Sequence, residues 1–473
     1  MAARGSMKRL LSLKTPAFTG CRAFATQQSA IPAREDLYDV AIVGGGPAGC
    51  ALATALGTSS SLRNTRVALV DPGKLRDVRT WEPPLDTYLA RTLQITAQNQ
   101  RYLEQMGAWQ LCFEDRVQAC SRAVVGDALG GSSVDLMSRD GDAAYMIETK
   151  NLVSGLLRRL EHTNVDVIER TRVTNIDTAH GESGWPAVAL SNGRSVRARL
   201  VVGADGAGSP VRKHARIDTY GTEYAQYGLV ATLCLEGLSC TAYQRFLPTG
   251  PIALLPFPGG FANLIWSLDT ELVQLLKGAH ESVFPALVNA AFRLQDPEEL
   301  EHIYAMLRAG ADADAVIAEI KWRLDVASRA RGSSVLPPVV AAVSPRSRTT
   351  FPLRMRVIDS LVAGRVALVG DAGHVMHPLA GQGLNVGLSD VRCLAHVLEQ
   401  AACAGEDLGT MAVLDRYNRE RYARNLAMQG IIDKVWHVFG ARSGAVAALR
   451  SLAMDGLDRV PVIKNQMIRA FMQ

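Results

Sequence analysis

The chain has 473 residues, 48% hydrophobic and 21% charged, a composition that supports a large folded core and excludes global disorder. Its net charge of +5 arises at the N-terminus, because residues 1–24 hold five basic side chains and no acid. The remaining 46 basic residues balance 46 acidic ones, so the charge does not support a nucleic-acid partner. The sequence has no apolar run long enough to predict a membrane-spanning helix.

The first 36 residues have the composition of a mitochondrial targeting peptide and a linker. They are basic, contain Ser and Thr, and have no acid before Glu35. Arg22 stands three residues before Ala25, the spacing of a matrix-protease site, so the mature chain is predicted to begin near Ala25. A disordered tail is the alternative. The eight scattered cysteines are expected to be reduced thiols in that compartment.

A glycine-rich turn follows the first predicted strand, residues 38–43. Its pattern is Gly44-x-Gly46-x-x-Gly49, and a helix, then a second strand ending at Asp71, come after it. Such a turn lets the backbone approach a pyrophosphate at a helix start, and the acid is placed to bind a ribose hydroxyl. The pattern predicts a dinucleotide site and leaves NAD and FAD open.

The middle of the chain changes character. Residues 227–233, 250–256 and 261–267 are predicted strands in hairpin succession, which indicates an inserted antiparallel sheet. A helical stretch, 283–331, and a Ser/Pro-rich loop, 333–347, follow.

Two further acids come directly after predicted strands. Asp205 precedes Gly206, a pair that also marks ordinary turns, and Asp371 is placed to bind a ribityl hydroxyl. Residues 381–385 can present backbone N–H groups at a helix start, where they suit negative charge on a flavin ring. His374 and His377 have no third ligand nearby, so we predict packed histidines and no metal site.

The chain thus contains three motifs: the glycine-rich turn with Asp71, the segment at Asp205, and the segment from Asp371 to Asn385. In this order they resemble the p-hydroxybenzoate hydroxylase type of flavoprotein monooxygenase, and the resemblance runs from about residue 37 to the C-terminus. Residues 241–248, 250–256 and 377–385 resemble signatures of its ubiquinone-biosynthesis branch. The resemblance implies an α/β fold, with a Rossmann-like FAD-binding domain, an inserted antiparallel-sheet substrate domain and a helical C-terminus.

The expected organisation has five parts. After the leader come the first part of the FAD-binding domain, the main substrate domain, the second part of the FAD-binding domain and the C-terminal helices. Their predicted bounds are 1–36, 37–219, 220–347, 348–395 and 396–473.

The resemblance also implies which residues contact FAD. The predicted set is Gly44, Gly46, Ala48, Gly49, Asp71, Arg91, Asp205, Gly370, Asp371, Gly381, Gly383, Leu384 and Asn385. On the flavin-ring side, where the reaction takes place, it implies Pro378, Gln382 and Gly383. Arg91 is alternatively a surface arginine at a helix start. Gly373 replaces an alanine common in the family, and the family segment at 148–151 is matched only approximately.

The implied reaction is hydroxylation, at ring position C5, of a polyprenylated phenolic precursor of ubiquinone, with O2 and a flavin C4a-hydroperoxide. An FAD-dependent polyprenyl reductase and a flavin-stabilised scaffold subunit are the alternatives. A polyprenyl tail needs an apolar tunnel, which Phe246, Leu255, Phe257 and Phe261 are candidates to line, although aromatic residues in a sheet are more often core.

The implied electron donor is a mitochondrial ferredoxin with its reductase, and NADPH is the alternative. Two arginine groups are candidates to steer an acidic ferredoxin: Arg346, Arg348, Arg354 and Arg356, and Arg416, Arg419, Arg421 and Arg424. A solvated face paired with acids is the simpler interpretation of either group. The resemblance also implies a quinone-biosynthesis complex and peripheral contact with the matrix side of the inner membrane.

Overall fold

The computed structural model describes residues 36–138, 144–177, 184–330 and 335–459. The predicted leader and its cleavage site lie outside these residues. The described chain has the predicted mixed α/β architecture and ends in helices.

The strands are, in chain order, β1 (Leu37–Val43), β2 (Val67–Val70), β3 (Thr92–Ile95), β4 (Gln118–Cys120), β5 (Arg122–Asp127), β6 (Ser133–Met137), β7 (Ala144–Glu148), β8 (Val165–Ile168), β9 (Val173–Asp177), β10 (Ala187–Leu190), β11 (Ser195–Gly203), β12 (Thr219–Tyr220), β13 (Glu223–Leu235), β14 (Thr241–Leu247), β15 (Gly250–Phe257), β16 (Phe261–Asp269), β17 (Val340–Val343), β18 (Thr349–Arg354), β19 (Val357–Ile358), β20 (Val362–Ala363) and β21 (Val366–Leu368).

The helices are α1 (Pro47–Thr58), α2 (Leu75–Arg79), α3 (Ala97–Gln105), α4 (Thr149–Leu160), α5 (Pro210–His214), α6 (Thr270–Gly278), α7 (Val283–Arg293), α8 (Pro297–Arg308), α9 (Ala313–Ala330), α10 (Gly383–Cys403), α11 (Met411–Gly440) and α12 (Gly444–Arg459). Among the short 3-10 turns, Gly370–Ala372 and Pro378–Ala380 belong to the site described below.

The first sheet has the strand order β20-β21-β11-β1-β2-β8, and from β21 to β8 its strands run parallel. β1, β2 and β21 are short runs of mostly Val, Ile, Leu and Ala and are largely buried, as expected for a parallel sheet covered by helices. α1 packs against α4 and α10. The turns after β1, β11 and β21 therefore lie side by side at one edge of the sheet.

The second sheet has the order β17-β13-β16-β15-β14-β5-β6, and β18 also pairs with β13. Its neighbours are antiparallel except β5 and β14, which run parallel. The three predicted strands of this region are β13, β15 and β16. Helices α6 to α9 share a hydrophobic core with this sheet, in which Trp266, Phe284 and Tyr304 are fully buried.

Sheet membership departs from the predicted division in two places. The β5–β6 hairpin falls within 37–219, and β18 falls within 348–395, yet both belong to the second sheet. Each joins it through pairing with a strand distant in sequence, β14 or β13, which a local pattern does not reveal. The chain thus crosses between the two parts more often than predicted.

The C-terminal helices bridge the two parts. α11 packs against α10 and also contacts β14, while α12 packs against the β5–β6 hairpin. A buried ion pair between Arg450 on α12 and Asp127 on β5 joins helix to hairpin, with Nε–Oδ2 and Nη2–Oδ1 distances of 2.7 and 2.9 Å. No helix among the described residues is long and apolar enough to cross a membrane.

Candidate functional site at the carboxyl edge of the parallel sheet

The glycine turn after β1 is shaped by close backbone packing. Gly44 has a φ of 111°, and a Cβ atom there would collide with the Ala204 carbonyl group. A Cβ atom on Gly49 would collide with the Gly44 carbonyl oxygen. Gly46 differs, because its Cβ would meet no described protein atom within 4 Å. A side chain at Gly46 is therefore excluded only by a ligand, as expected where the backbone approaches a pyrophosphate.

The start of α1 supplies donors for that ligand. Gly46 is the N-cap of α1, and Cys50 N–H donates to the Gly46 carbonyl oxygen, which begins the helix. The N–H groups of Gly46, Ala48 and Gly49 precede the first intrahelical bond, so they have no helical acceptor. Together with the helix dipole they suit a phosphate group.

Asp71 follows β2 and is held by the glycine turn. Its Oδ2 accepts a hydrogen bond from Gly45 N–H at 2.6 Å, and its Oδ1 accepts one from Gly73 N–H at 2.6 Å. The carboxylate thus fixes the turn against β2. Each oxygen retains a second lone pair, so the predicted ribose contact is compatible with this geometry.

Asp205 follows β11 and lies against Gly44. Its Oδ2 accepts from Val211 N–H at 3.1 Å, whereas its buried Oδ1 has no hydrogen-bond partner among the described residues. Burial raises the pKa of Asp205, and hydrogen bonds from Ser209 and Val211 partly oppose that rise. A buried acceptor without a donor indicates a ligand hydroxyl at this point.

Asp371 lies in the turn after β21. It is exposed to the cleft, yet desolvation by the surrounding protein raises its pKa, and the charges of His374 and Arg91 partly oppose this. Arg91 is therefore electrostatically coupled to the site. It is exposed, as the alternative of a surface arginine has it, but it precedes β3 and does not start a helix. The preceding Gly370 has a φ of 59° and packs beside Ala48, where its notional Cβ would lie 3.2 Å from the alanine Cβ.

The segment 381–385 begins α10, as predicted. Gly381 is left-handed, with a φ of 62°, and α10 starts at Gly383 after the N-cap Gln382. The N–H groups of Gly383, Leu384 and Asn385 precede the first intrahelical bond, made by Val386. They are available to a flavin ring.

The Asn385 side chain has a different role. Its Oδ1 accepts from Thr96 N–H and Asn99 Nδ2, each at 3.0 Å, while its Nδ2 donates to the Gln94 carbonyl oxygen at 2.9 Å. Asn385 thus ties α10 to the segment that follows Arg91. Of its groups, only the backbone N–H is available for the predicted contact with FAD.

An apolar cavity of about 280 Å³ adjoins this helix start. Pro378, Gly381 and Gln382 line one end together with Gln94. Its wall is largely aliphatic and aromatic and comes from the second sheet with its β5–β6 hairpin, from β7 and from helices α11 and α12: Val124, Val134, Leu136, Met146, Phe246, Leu255, Ile265, Val435, Phe439 and Met454. Gly383 is not among the lining residues.

Two of the four candidate tunnel residues line this cavity. Leu255 does, and Phe246 lines it while stacking on Phe439, with ring centroids 3.8 Å apart. Phe257 and Phe261 instead pack around Tyr88, with centroids 4.8 and 5.2 Å from its ring. They belong to the core, the alternative considered for all four.

The two histidines are buried. His374 Nε2 lies 2.5 Å from Asp390 Oδ2, and Arg421 Nε donates to Asp390 Oδ1 at 2.8 Å. Burial acts to raise the pKa of Asp390, but its contacts with His374 and Arg421 outweigh burial and lower the pKa. Burial lowers the pKa of His377 to about 4, so its ring is neutral at pH 7. The rings pack as predicted.

A further buried ion pair, between Arg116 and Glu148, was not predicted from the sequence. Arg116 Nε and Nη2 donate to both oxygens of Glu148 at 2.9 and 2.8 Å, and Glu148 Oε1 also accepts from Leu89 N–H. Arg116 further donates to the Pro84 carbonyl oxygen at 2.7 Å. The pair fixes the loop that leads to Arg91.

The two arginine groups differ in how far they are paired with acids. In the first, Arg354 and Arg356 share the carboxylate of Glu223, Arg348 Nη1 donates to the Ala279 carbonyl oxygen, and Arg346 is exposed. In the second, Arg421 is buried, and the others pair with acids: Arg416 with Glu406, Arg419 with Asp415 and Arg424 with Glu420. The second group therefore fits a solvated face paired with acids, whereas the first is only partly paired.

These features together fit FAD. The turn open at Gly46 suits a pyrophosphate, the donorless Oδ1 of Asp205 and the carboxyl group of Asp371 suit hydroxyl groups, and the start of α10 suits an anionic ring. The site extends directly into an apolar cavity. A site for a nicotinamide dinucleotide would not explain why the free N–H groups at the start of α10, beside Pro378, adjoin the same cleft.

The chain is similar to known flavoproteins over most of its length. Residues 37–429 match the FAD binding domain family. "Ubiquinone biosynthesis monooxygenase COQ6, mitochondrial" of Saccharomyces cerevisiae is 36% identical, over 94% of this chain and 95% of that protein. The Homo sapiens protein of the same name is 32% identical, over 92% of each.

Solved structures show the same fold. p-Nitrophenol 4-monooxygenase PnpA from Pseudomonas putida DLL-E4 superposes with a TM-score of 0.65 at 17% identity, covering 92% of this chain and 98% of that one. Family match, identity and site geometry agree: the chain belongs to the FAD-dependent ubiquinone biosynthesis monooxygenases.

Proposed function

We propose that this monooxygenase hydroxylates ring position C5 of a polyprenylated phenol, an intermediate of ubiquinone biosynthesis. The observation that carries the proposal is the cavity of about 280 Å³, because its lining is mostly apolar and includes Pro378 and Gln382 beside the FAD site. A phenol ring would lie at that end, and the prenyl chain would follow the aliphatic wall.

The chain's own residues bind, orient and exclude water. FAD, when bound and reduced, supplies the activation of O2. The N–H groups at the start of α1 hold its pyrophosphate, and those of Gly383 to Asn385 stabilise negative charge on its ring. Gln94 and Gln382 are the amide side chains at the ring end of the cavity, so they would orient the phenol. The aliphatic wall keeps this end dry.

The ring position is tested by removing the gene and identifying the quinone precursor that accumulates. We expect a polyprenylated phenol without the C5 hydroxyl group, and re-expression of the chain should remove it. Accumulation of a fully hydroxylated precursor with an unsaturated tail would instead favour a polyprenyl reductase. Normal quinone synthesis with a chain that cannot bind FAD would favour a scaffold role.

We propose a ferredoxin, reduced by its reductase, as the electron donor. The support is the family resemblance, since the second arginine group is paired with acids and the first is partly paired with a single one, Glu223. The test is anaerobic reduction of bound FAD, with substrate present, by NADPH alone and by NADPH with ferredoxin and its reductase. Bleaching by NADPH alone at the rate of turnover would contradict the ferredoxin proposal and leave the hydroxylase intact.

The relatives are named mitochondrial, and we propose that this chain acts on the matrix side of the inner membrane, as a peripheral protein within a quinone-biosynthesis complex. The apolar cavity supports the location, because a polyprenyl tail is delivered from the bilayer.

A further inference from the structure

The floor of the apolar cavity is one face of the second sheet. In a strand, successive side chains point to opposite faces. Arg245 on β14 marks the face that is covered by helices, because its Nη1 donates to the Ala291 carbonyl oxygen of α7 at 2.9 Å. Its neighbours Gln244 and Phe246 therefore point to the other face, and both line the cavity.

Gln244 lies among apolar side chains on this floor. Its partners in register on the neighbouring strands are Val125 of β5 and Ala253 of β15. Along β14, the next side chains on the same face are Ala242 and Phe246, and all four neighbours line the cavity. A carboxamide in such surroundings is unfavourable unless its oxygen and nitrogen are hydrogen-bonded.

The Gln244 amide has no hydrogen-bond partner among the residues that the structure describes, and it is partly buried. Two other amides on this side of the sheet differ. Asn263 Nδ2 donates to the Ala90 carbonyl oxygen at 3.0 Å, and Gln226 Oε1 accepts from Trp436 Nε1 at 3.2 Å. Those amides connect parts of the fold, whereas the Gln244 amide is directed into the cavity.

The remaining polar side chains of the cavity lining have other places or partners. Gln94 and Gln382 lie at the FAD end. Arg122 pairs with Asp135, with Nε–Oδ1 and Nη2–Oδ2 distances of 3.0 and 2.7 Å. Tyr243 packs into the core on the helix side of the sheet. Within the described lining, Gln244 is therefore the hydrogen-bonding group that the floor offers to a ligand.

An amide on this floor favours the ring of a prenylated phenol over its tail. A prenyl chain is a hydrocarbon, so it would cover Oε1 and Nε2 without bonding to either, which is unfavourable. A phenolic hydroxyl group both donates and accepts, and the amide supplies an acceptor in Oε1 and a donor in Nε2. The match of groups places the hydroxyl-bearing edge of the ring over Gln244.

We propose that Gln244 is a substrate-binding residue that recognises the hydroxyl group of an aromatic ring and thereby determines which ring carbon faces the FAD site. The proposal deepens the proposed function and rests on it for the identity of the ligand as a prenylated phenol. Gln94 and Gln382 hold the ring from the FAD side, and Gln244 holds it from the floor. Contacts on two sides fix the rotation of the ring in its own plane.

The test compares two ligands of the FAD-loaded chain: a short-tailed prenyl phenol, and the prenylbenzene that has the same tail and no hydroxyl group. Equilibrium dialysis gives the affinity of each for the unaltered chain, for Gln244→Met and for the matched control Gln274→Met, whose amide is exposed on α6. The ratio of affinities, phenol to prenylbenzene, should fall about tenfold in Gln244→Met, because a hydrogen bond is lost with the phenol alone. The control should keep the ratio of the unaltered chain.

Stability and turnover separate substrate binding from a structural role. Gln244→Met removes an unpaired amide from apolar surroundings, so its FAD content should be unchanged and its Tm equal or higher. Gln244→Leu has a smaller side chain and should give the same results, which controls for overpacking by methionine. Both variants should form less hydroxylated product per O2 consumed, because a ring that can rotate presents the wrong carbon.

An unchanged ratio of affinities in Gln244→Met and Gln244→Leu would overturn the assignment of Gln244. A lower Tm with loss of FAD in both variants would also overturn it, since the amide would then serve the fold. A tenfold fall in the ratio, together with no C5 hydroxylation by the unaltered chain, would contradict the proposed function alone.

Discussion

Gly46 is a position where a side chain should disturb cofactor binding without disturbing the fold. A Cβ atom there meets no described protein atom within 4 Å, so Gly46→Val leaves the fold intact and obstructs the pyrophosphate. We expect purified Gly46→Val to contain little flavin, with the Tm of the apo-protein within a few degrees of the unaltered apo-protein. The measurements are flavin absorbance per chain and thermal unfolding.

Two other glycine-to-valine variants serve as controls for Gly46→Val. Gly278→Val, at the end of α6, also adds its side chain to open space and should retain full flavin content. Gly49→Val collides with the Gly44 backbone and should lower both flavin content and Tm. Full occupancy by FAD in Gly46→Val would contradict the placement of the pyrophosphate.

Asp371 is expected to favour FAD binding at the expense of apo-protein stability. Asp371→Asn should weaken FAD binding on the order of tenfold to a hundredfold, because a hydrogen bond to a charged group contributes about 1.5–3 kcal/mol. Titration of the apo-protein with FAD measures this. Asp325→Asn, exposed on α9, is the matched control, and unchanged affinity in Asp371→Asn would exclude the predicted contact.

The same variant has a predicted pH dependence. The pKa of Asp371 in the folded apo-protein lies above its unfolded value. Its contribution to stability is therefore fully present below about pH 3.9 and is lost as the pH rises through the folded-state pKa. Asparagine does not ionise, so Asp371→Asn does not lose this stability as the pH rises. Its apo-protein should have the higher Tm at neutral pH, and the two Tm values should converge in acid; a lower Tm for the variant at neutral pH would be the opposite result.

Individual residues differ in how well the sequence predicts them. Asp71, Asp205 and Asp371 each follow a buried strand directly, so their common edge follows from parallel pairing alone. Arg421 was grouped with Arg416, Arg419 and Arg424 because they lie close together in the sequence, yet it is buried. Its partner Asp390 lies 31 residues away, and only packing of α11 on α10 brings them together.

At the scale of elements, α12 depends on one ion pair. Arg450→Leu leaves Asp127 buried without its cation, and breaking a buried pair in this way costs about 3–5 kcal/mol. Detachment of α12 is the less costly response, so we expect faster amide exchange and proteolysis at 441–459 with retained FAD.

The matched control is Arg419→Ala. Arg419 is 82% exposed in its pair with Asp415, so its loss should change stability by less than about 1 kcal/mol. If Arg450→Leu left amide exchange in α12 as slow as in the unaltered chain, the ion pair would not be what holds the helix.

The elements also show where sequence reasoning stops. The strands β13, β15 and β16 were predicted from their apolar runs, but the predicted hairpin succession holds only for β15 and β16, because the unpredicted β14 follows β13 in the chain and β13 pairs with β16. The parallel pairing of β5 with β14 was not predicted either, since it joins Arg122 to Thr241 across more than a hundred residues. The cavity wall could not be predicted from the sequence for the same reason, because β5 supplies much of it.

At the scale of the whole molecule, the leader remains a prediction. The basic, acid-free residues 1–24 and Arg22 predict import and cleavage. N-terminal sequencing of the protein from isolated mitochondria should begin near Ala25. A chain that stays in the cytosol with Met1 in place would show that the segment has another role.

The most direct test of the whole account supplies heavy-isotope O2 to the FAD-loaded chain, its reductant and a short-tailed prenyl phenol. The account predicts a product with one additional oxygen atom, derived from O2 and attached at C5, and no product from apo-protein or from Gly46→Val. A product that gains hydrogen without oxygen, or oxygen derived from water, would contradict it.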